Sequence, residues 1–304
     1  IEPNYFDAHN NLGNLFKELQ QYDDAVIIYK KLLEIQPDYA EGHNNLGVTL
    51  VAMGEFDRAV KSYEKAIELK PKFAEAYYNL ALVFKKLKKL NDAIKNFESA
   101  TLINPNFAEA FNNIGSCFVS LDRQYDAIKF YEQALSIQDL PEAHNNLGAA
   151  YRSLGQMDAA IECYKNSISI FPESGALNNL GIVYQESGKI SSAIQSFEKA
   201  ISINPDNAEA YRNLSTLKKY DSENDKDILR IKSILSNPDL EDSERIHLCY
   251  TLAKIYANLE NSNEYFRLLN EGNNLLKKKL NYSINHTSKV ILNIKKIFKL
   301  LPES

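Results

Sequence analysis

Cysteine is scarce. Cys117, Cys163 and Cys249 are odd in number, far apart and without the CxxC spacing of zinc or redox sites, which leaves no disulfide framework to expect. They read as reduced fillers of a core, and that favours a reducing, cytoplasmic compartment. An excess of positive charge is also missing. With 35 Lys and Arg against 40 Asp and Glu, the net charge of −5 gives no sequence-wide basic footprint for neutralising phosphates, so no nucleic-acid partner is expected. No apolar run approaches the roughly 18 residues of a spanning helix, so no membrane span is expected. Finally, no Gly-x-x-x-x-Gly-Lys loop, HExxH or GxSxG occurs, so neither catalysis nor a cofactor is expected of this stretch.

What the chain does have is a period. Asn11 recurs as Asn45, Asn79, Asn113, Asn146, Asn179 and Asn213, at separations of 34, 34, 34, 33, 33 and 34 residues. Helices joined by arbitrary loops would not keep such an interval. With this Asn counted as position 6, position 7 is Leu or Ile, and position 8 is small (Gly13, Gly47, Ala81, Gly115, Gly148, Gly181, Ser215). In the first six copies position 11 is large and position 20 is Ala, while position 24 is aromatic (Tyr29, Tyr63, Phe97, Tyr131, Tyr164, Phe197). Pro37, Pro71, Pro105, Pro172 and Pro205 close five of the units near position 32.

This pattern resembles the tetratricopeptide repeat, over about residues 6 to 219. The resemblance implies an all-α, right-handed superhelix of helix-turn-helix units, each with a helix A and an antiparallel helix B. Six units are set at 6–39, 40–73, 74–107, 108–140, 141–173 and 174–207. A seventh begins normally at Ala208 and turns irregular after its first helix, so that seven helix pairs are expected before a less regular end. Residues 1–5 reproduce the last five positions of a unit, which predicts that the chain begins inside an earlier repeat. That leaves stacking of the first repeat on another copy open.

Gly54, Gly155 and Gly188, at position 15, are expected to turn the chain between helices in three units. A one-residue deletion before Pro141 shifts that proline to the first turn of the next helix A, where it is tolerated. Residues 220–304 read as irregular helices. They comprise a polar loop from Tyr220, a helix through Ile228, Ile231 and Ile234, a degenerate eighth repeat at about 246–279, and a terminal helix through Ile284, Val290, Ile291 and Phe298. Lysines 277, 278, 279, 289, 295, 296 and 299 make this end basic, as a solvated cap or a docking surface.

At about 100° per residue, positions 4, 7, 8, 11 and 14 of helix A share a packing side, and positions 2, 5, 6, 9, 12 and 13 share the opposite side. Stacked units would bring the position-6 residues Asn11, Asn45, Asn79, Asn113, Asn146, Asn179 and Asn213 into a ladder on one concave surface. A side-chain amide offers both donor and acceptor, which suits it to the backbone of an extended peptide. The flanking groove residues are Asn10, Asn44, Tyr78, Asn112, Asn145 and Asn178 at position 5, with Asn14, Val48, Leu82, Ser116 and Ile182 at position 9. The alternative is that position 6 pairs with neighbouring helices and sets their packing. Doubling the amides at position 5 favours the ligand, and on that reading Ala at Asn79, Asn113 and Asn146 weakens peptide binding while stability hardly changes. His9, His43 and His144, all at position 4, read as a core edge rather than metal ligands, and the cluster Lys85, Lys86, Lys88 and Lys89 reads as solvated.

The ladder resembles that of O-linked N-acetylglucosamine transferase, whose repeat superhelix holds the backbone of protein substrates with Asn at this position. The region from Asn213 to Phe298, with Asn237-Pro238-Asp239-Leu240 and Glu271-Gly272-Asn273, resembles the junction of bacterial proteins that join such repeats to a P-loop sulfotransferase domain. That resemblance implies a catalytic domain following residue 304. The expected function is a non-catalytic scaffold binding an extended polypeptide as the substrate-recruiting part of a larger enzyme, with two alternatives open: part of a bacterial sulfotransferase whose catalytic domain follows residue 304, or a purely structural spacer.

Overall fold

The computed structural model describes residues 5–280, which hold sixteen helices and no strand. Residues 1–4 of the expected repeat tail and the expected terminal helix, with Lys289, Lys295, Lys296 and Lys299, lie outside the described residues. The chain divides into two compact units, one up to Phe171 and one from Pro172.

The first unit holds five helix pairs: α1 (Tyr5–Glu18) with α2 (Tyr22–Ile35), α3 (Ala40–Ala52) with α4 (Phe56–Leu69), α5 (Ala74–Lys86) with α6 (Leu90–Ile103), α7 (Ala108–Ser120) with α8 (Gln124–Ile137), and α9 (Pro141–Ser153) with α10 (Met157–Ile170). Each helix A packs on its own helix B, which packs in turn on the next helix A, and α1, α3 and α5 also touch in succession. The core follows from the alternation of small and large positions. Ala25, Ala59, Ala93, Ala127 and Ala160 are fully buried, and the aromatic rings one turn further on are nearly so. Four of those rings, Tyr29, Tyr63, Tyr131 and Tyr164, press on helix A at a glycine, where it has no side chain. A Cβ on Gly47 would sit 2.6 Å from the Tyr63 ring, and one on Gly115 would sit 2.6 Å from Tyr131. Glycine there lets the two helices close on a buried ring.

The turn inside each pair is more uniform than the glycines suggest. Gly54 and Gly155 have φ of +79° and +74°, and Gln20, Lys88 and Asp122 take +59°, +60° and +57° at the same position. The left-handed turn is therefore imposed by the helix pair and accepted by side-chain-bearing residues at some cost. Four of these five B helices end two residues before a proline, with one non-helical residue such as Lys70 before Pro71 or Asn104 before Pro105, while α8 runs into Gln138 and Asp139 instead. Pro141 occupies the first turn of α9, where its missing N–H breaks no helical bond.

The second unit opens with a sixth regular pair, α11 (Ser174–Glu186) and α12 (Ile190–Ile203). The seventh differs from expectation already in its first helix, α13 (Ala208–Leu214), which stops after seven residues. The hydroxyls of Ser215 and Thr216 donate to the carbonyls of Arg212 and Asn213, so side chains compete for the acceptors a continuing helix would use. The chain re-enters helix at α14 (Lys226–Leu235), capped by the Asp225 carboxylate on the Asp227 N–H. Lys218 reaches back to Asp225 and Asp227 at 3.0 and 2.6 Å, tying the loop to that helix start. The last described pair is α15 (Asp242–Asn258) and α16 (Ser262–Lys279). Glu260, between them, has φ of +59°, the turn position of the regular repeats. Gly272 lies under the Tyr250 ring, so a glycine–aromatic contact recurs there with the partners exchanged between helices.

Candidate functional site

The asparagines at position 6 form a connected series within the first unit. Asn45 donates through Nδ2 to Oδ1 of Asn10 at 3.0 Å, Asn79 to Asn44 at 3.0 Å, and Asn146 to Asn112 at 3.1 Å. Each bond joins one helix A to the preceding one. Asn113 departs from the series because position 5 of the preceding unit is Tyr78. It donates to the Tyr78 hydroxyl at 3.2 Å and to the Glu109 carbonyl at 2.9 Å, and it accepts from Lys85 Nζ at 2.8 Å. In the second unit Asn213 donates to Asn178 at 3.0 Å. Asn179 and Asn145 are half-buried, and Asn11 is exposed on α1.

Two expectations are corrected by this geometry. Asn44, Asn112 and Asn178 do not flank an open groove, since each is only 2% exposed. They sit between successive A helices as acceptors, so the doubled amides serve packing and the argument that they favour a ligand falls. The near-neutral effect of Ala at Asn79 and Asn146 falls with it, because each substitution would leave a buried carbonyl unpaired. What remains for a ligand is the outer half of each position-6 amide. Among the described residues no side chain donates to Oδ1 of Asn45, Asn79 or Asn146, and one bond uses only one of the two N–H groups of each. These half-buried residues thus keep a donor and an acceptor.

The position-9 residues are uneven. Oδ1 of Asn14 is taken by the Tyr29 hydroxyl at 2.7 Å and by Lys17 at 3.3 Å. Ser116 and Ile182 are half-buried. Val48 and Leu82 face each other across a cavity of about 390 Å³, completed by Val51, Tyr63, Asn79, Val83 and Lys86. Its lining residues are apolar except for Asn79, Tyr63 and Lys86. Burial, helped by Glu75, pushes the Tyr63 hydroxyl well above its usual pKa, so it stays a neutral donor. Lys86 lies 4.8 Å from the centre of the Phe56 ring and, among the described residues, forms no ion pair. Of the lysines read as merely solvated, two therefore touch the site: Lys85 through Asn113, and Lys86 directly. Their positions, 12 and 13 of helix A, already fell on the groove side of the helical wheel.

The remaining chemistry is structural. Glu41, held below the usual carboxylate range by its hydrogen bond to Lys70, is paired at 2.6 Å. His43 bonds the Pro37 carbonyl at 2.9 Å and His144 bonds Asp139 at 2.6 Å. Among the described residues no cluster of His, Cys, Asp and Glu could hold a metal ion, and no helix is long and apolar enough to cross a membrane. All three cysteines are buried and free, and burial pushes the thiols of Cys163 and Cys249 up to about 11, far from nucleophilic use at neutral pH.

Comparison with known proteins agrees with this architecture. Family models described as TPR repeat match residues 13–54 and 49–88, and models described as tetratricopeptide repeat match 74–107, 108–139 and 139–206. No curated protein sequence matches the chain. Among solved structures, a MamA protein is 27% identical, with 55% of this chain and 92% of that one covered and a TM-score of 0.50. A repeat protein from Parabacteroides merdae is 18% identical over 81% of this chain and 98% of its own, at a TM-score of 0.63. PilF of Pseudomonas aeruginosa is also 18% identical, over 67% and 94%, at 0.60. The last two likenesses concern the fold alone.

Proposed function

For a chain that belongs to the tetratricopeptide repeat family, and so is a protein-interaction scaffold, we propose that the first unit holds an extended polypeptide against the outer edges of Asn45, Asn79 and Asn146. The observation that carries this reading is the half-used amide. Each of Asn45, Asn79 and Asn146 spends one N–H on the preceding helix and retains an N–H and a carbonyl, the pair of groups an extended backbone complements. Because peptide groups are the same at every residue, such binding is tolerant of sequence, and the repeat array takes part without catalysing anything. Recruiting an acceptor protein for a sulfotransferase domain, which the junction resemblance implies, is one use of such a groove.

The test leaves the protein unaltered. A peptide recovered from a random displayed pool on the 304-residue chain is resynthesised with N-methyl groups at single backbone positions. If backbone groups are read, methylation at several positions weakens binding about tenfold or more, on the scale of a lost buried hydrogen bond. Recovery of no peptide, or binding indifferent to every backbone methyl, would overturn the reading.

A further inference from the structure

We infer that the cavity between α3 and α5 is a side-chain pocket that selects one apolar residue of the bound polypeptide with an acidic residue beside it. This rests on the peptide-binding reading above and adds a sequence preference that the amides cannot supply. The cavity of about 390 Å³ joins two consecutive repeats, with Val48 and Val51 on one side and Leu82 and Val83 on the other. Leu82 is 36% exposed, unlike Leu80 two residues earlier at 4%, so this patch is left uncovered by the repeat's own packing.

Three features commit the occupant to a peptide of that composition. First, Asn79 lines the same cavity, so a backbone held at the Asn79 amide places its side chain against the valines and Leu82. Second, Lys86 lies one helical turn beyond Leu82, about 6 Å along α5, and its ammonium meets only the face of Phe56. No carboxylate of the described residues pairs with it, whereas Arg58, in the first turn of the helix that carries Phe56, is paired with Glu55. Third, Lys85, the next cation, points along the groove to Asn113 and leaves the positive end of the pocket to Lys86. A residue within two positions of the inserted side chain, at about 3.3 Å per residue of extended chain, reaches Lys86. A carboxylate there gains an ion pair at the pocket mouth, and a lysine or arginine is repelled.

The experiment selects peptides from a pool of randomised dodecamers against three proteins: the unaltered chain, Leu82→Asp and Lys86→Glu. Both substitutions are at exposed positions, and circular dichroism checks that helix content is unchanged. The unaltered chain is expected to enrich a Leu, Ile, Met or Phe with Asp or Glu within two residues. Leu82→Asp should lower affinity for such a peptide about tenfold or more, the scale of burying one aliphatic side chain. Lys86→Glu should replace the acidic preference with a basic one. Peptides enriched without the apolar and acidic pair, or with the same preference on Lys86→Glu, would overturn the pocket while leaving the scaffold intact. No enrichment on any of the three overturns the peptide-binding reading itself. Dodecanoate is titrated in parallel, and saturable binding of it without peptide enrichment assigns the cavity to a small amphipathic acid, against both proposals.

Discussion

Asn79 on α5 gives one side-chain N–H to Asn44 on α3 across 3.0 Å, and Asn44 is 2% exposed. The groove residue and the packing residue are thus one bonded pair. Replacing Asn79 by Ala should cost about 1–2 kcal/mol, because the Asn44 carbonyl is left buried without its donor. Asn113→Ala should cost roughly half as much, since its partners are the half-buried Tyr78 hydroxyl and Lys85 ammonium, which can turn to water, and a carbonyl of its own helix. Urea unfolding of the two variants checks the order. Equal losses would mean that the bond between helices contributes nothing specific.

Lys88 offers a second test, at the turn between α5 and α6. Its φ of +60° is one that a side chain resists and glycine does not, and the residue is exposed, so little else changes on substitution. Lys88→Gly should stabilise the first unit by about 0.5–1 kcal/mol, the relief of left-handed strain less the added freedom of the unfolded chain. The same change at the helical Lys85 should destabilise. A fall in the urea midpoint for Lys88→Gly would show that the turn is not strained.

The clip in the second unit has a defined dependence on pH. Burial alone lowers the pKa of the Lys218 ammonium, and its bonds to Asp227 and Asp225 more than reverse that, so the group titrates above its ordinary value. A raised cationic group gives stability that is complete below its unfolded pKa and lost as pH rises through the folded one. The contribution should therefore hold across neutral pH and fade only in strong alkali. Lys218→Met should destabilise the second unit by about 2–3 kcal/mol, since Asp227 at 6% side-chain exposure is left without its cation. Adding Asp227→Asn to that variant should restore part of the loss. Unfolding curves on the single and double variants decide whether the buried charge is the cause.

The sequence by itself determined the helix pairs and their spacing. A small residue at position 8, Ala at 20, an aromatic at 24 and a proline near 32 specify local helices and the contact between them, and that information recurs every 33 or 34 residues. In the last described pair, α15 and α16, Glu260 takes the left-handed turn between the helices. Three things were decided only in three dimensions. Positions 5 and 6 are about 100° apart on helix A, so both lie near the groove side of a single helix, and only the approach of the neighbouring helix buries Asn44, Asn112 and Asn178. The left-handed turn at Gln20, Lys88 and Asp122 follows from closing the pair, because Gln and Lys resist that conformation and only Asp tolerates it somewhat better. The cavity draws Val48 and Val51 from one unit and Leu82 and Lys86 from the next, and its shape depends on a distance between helices that residue periodicity along one chain does not encode.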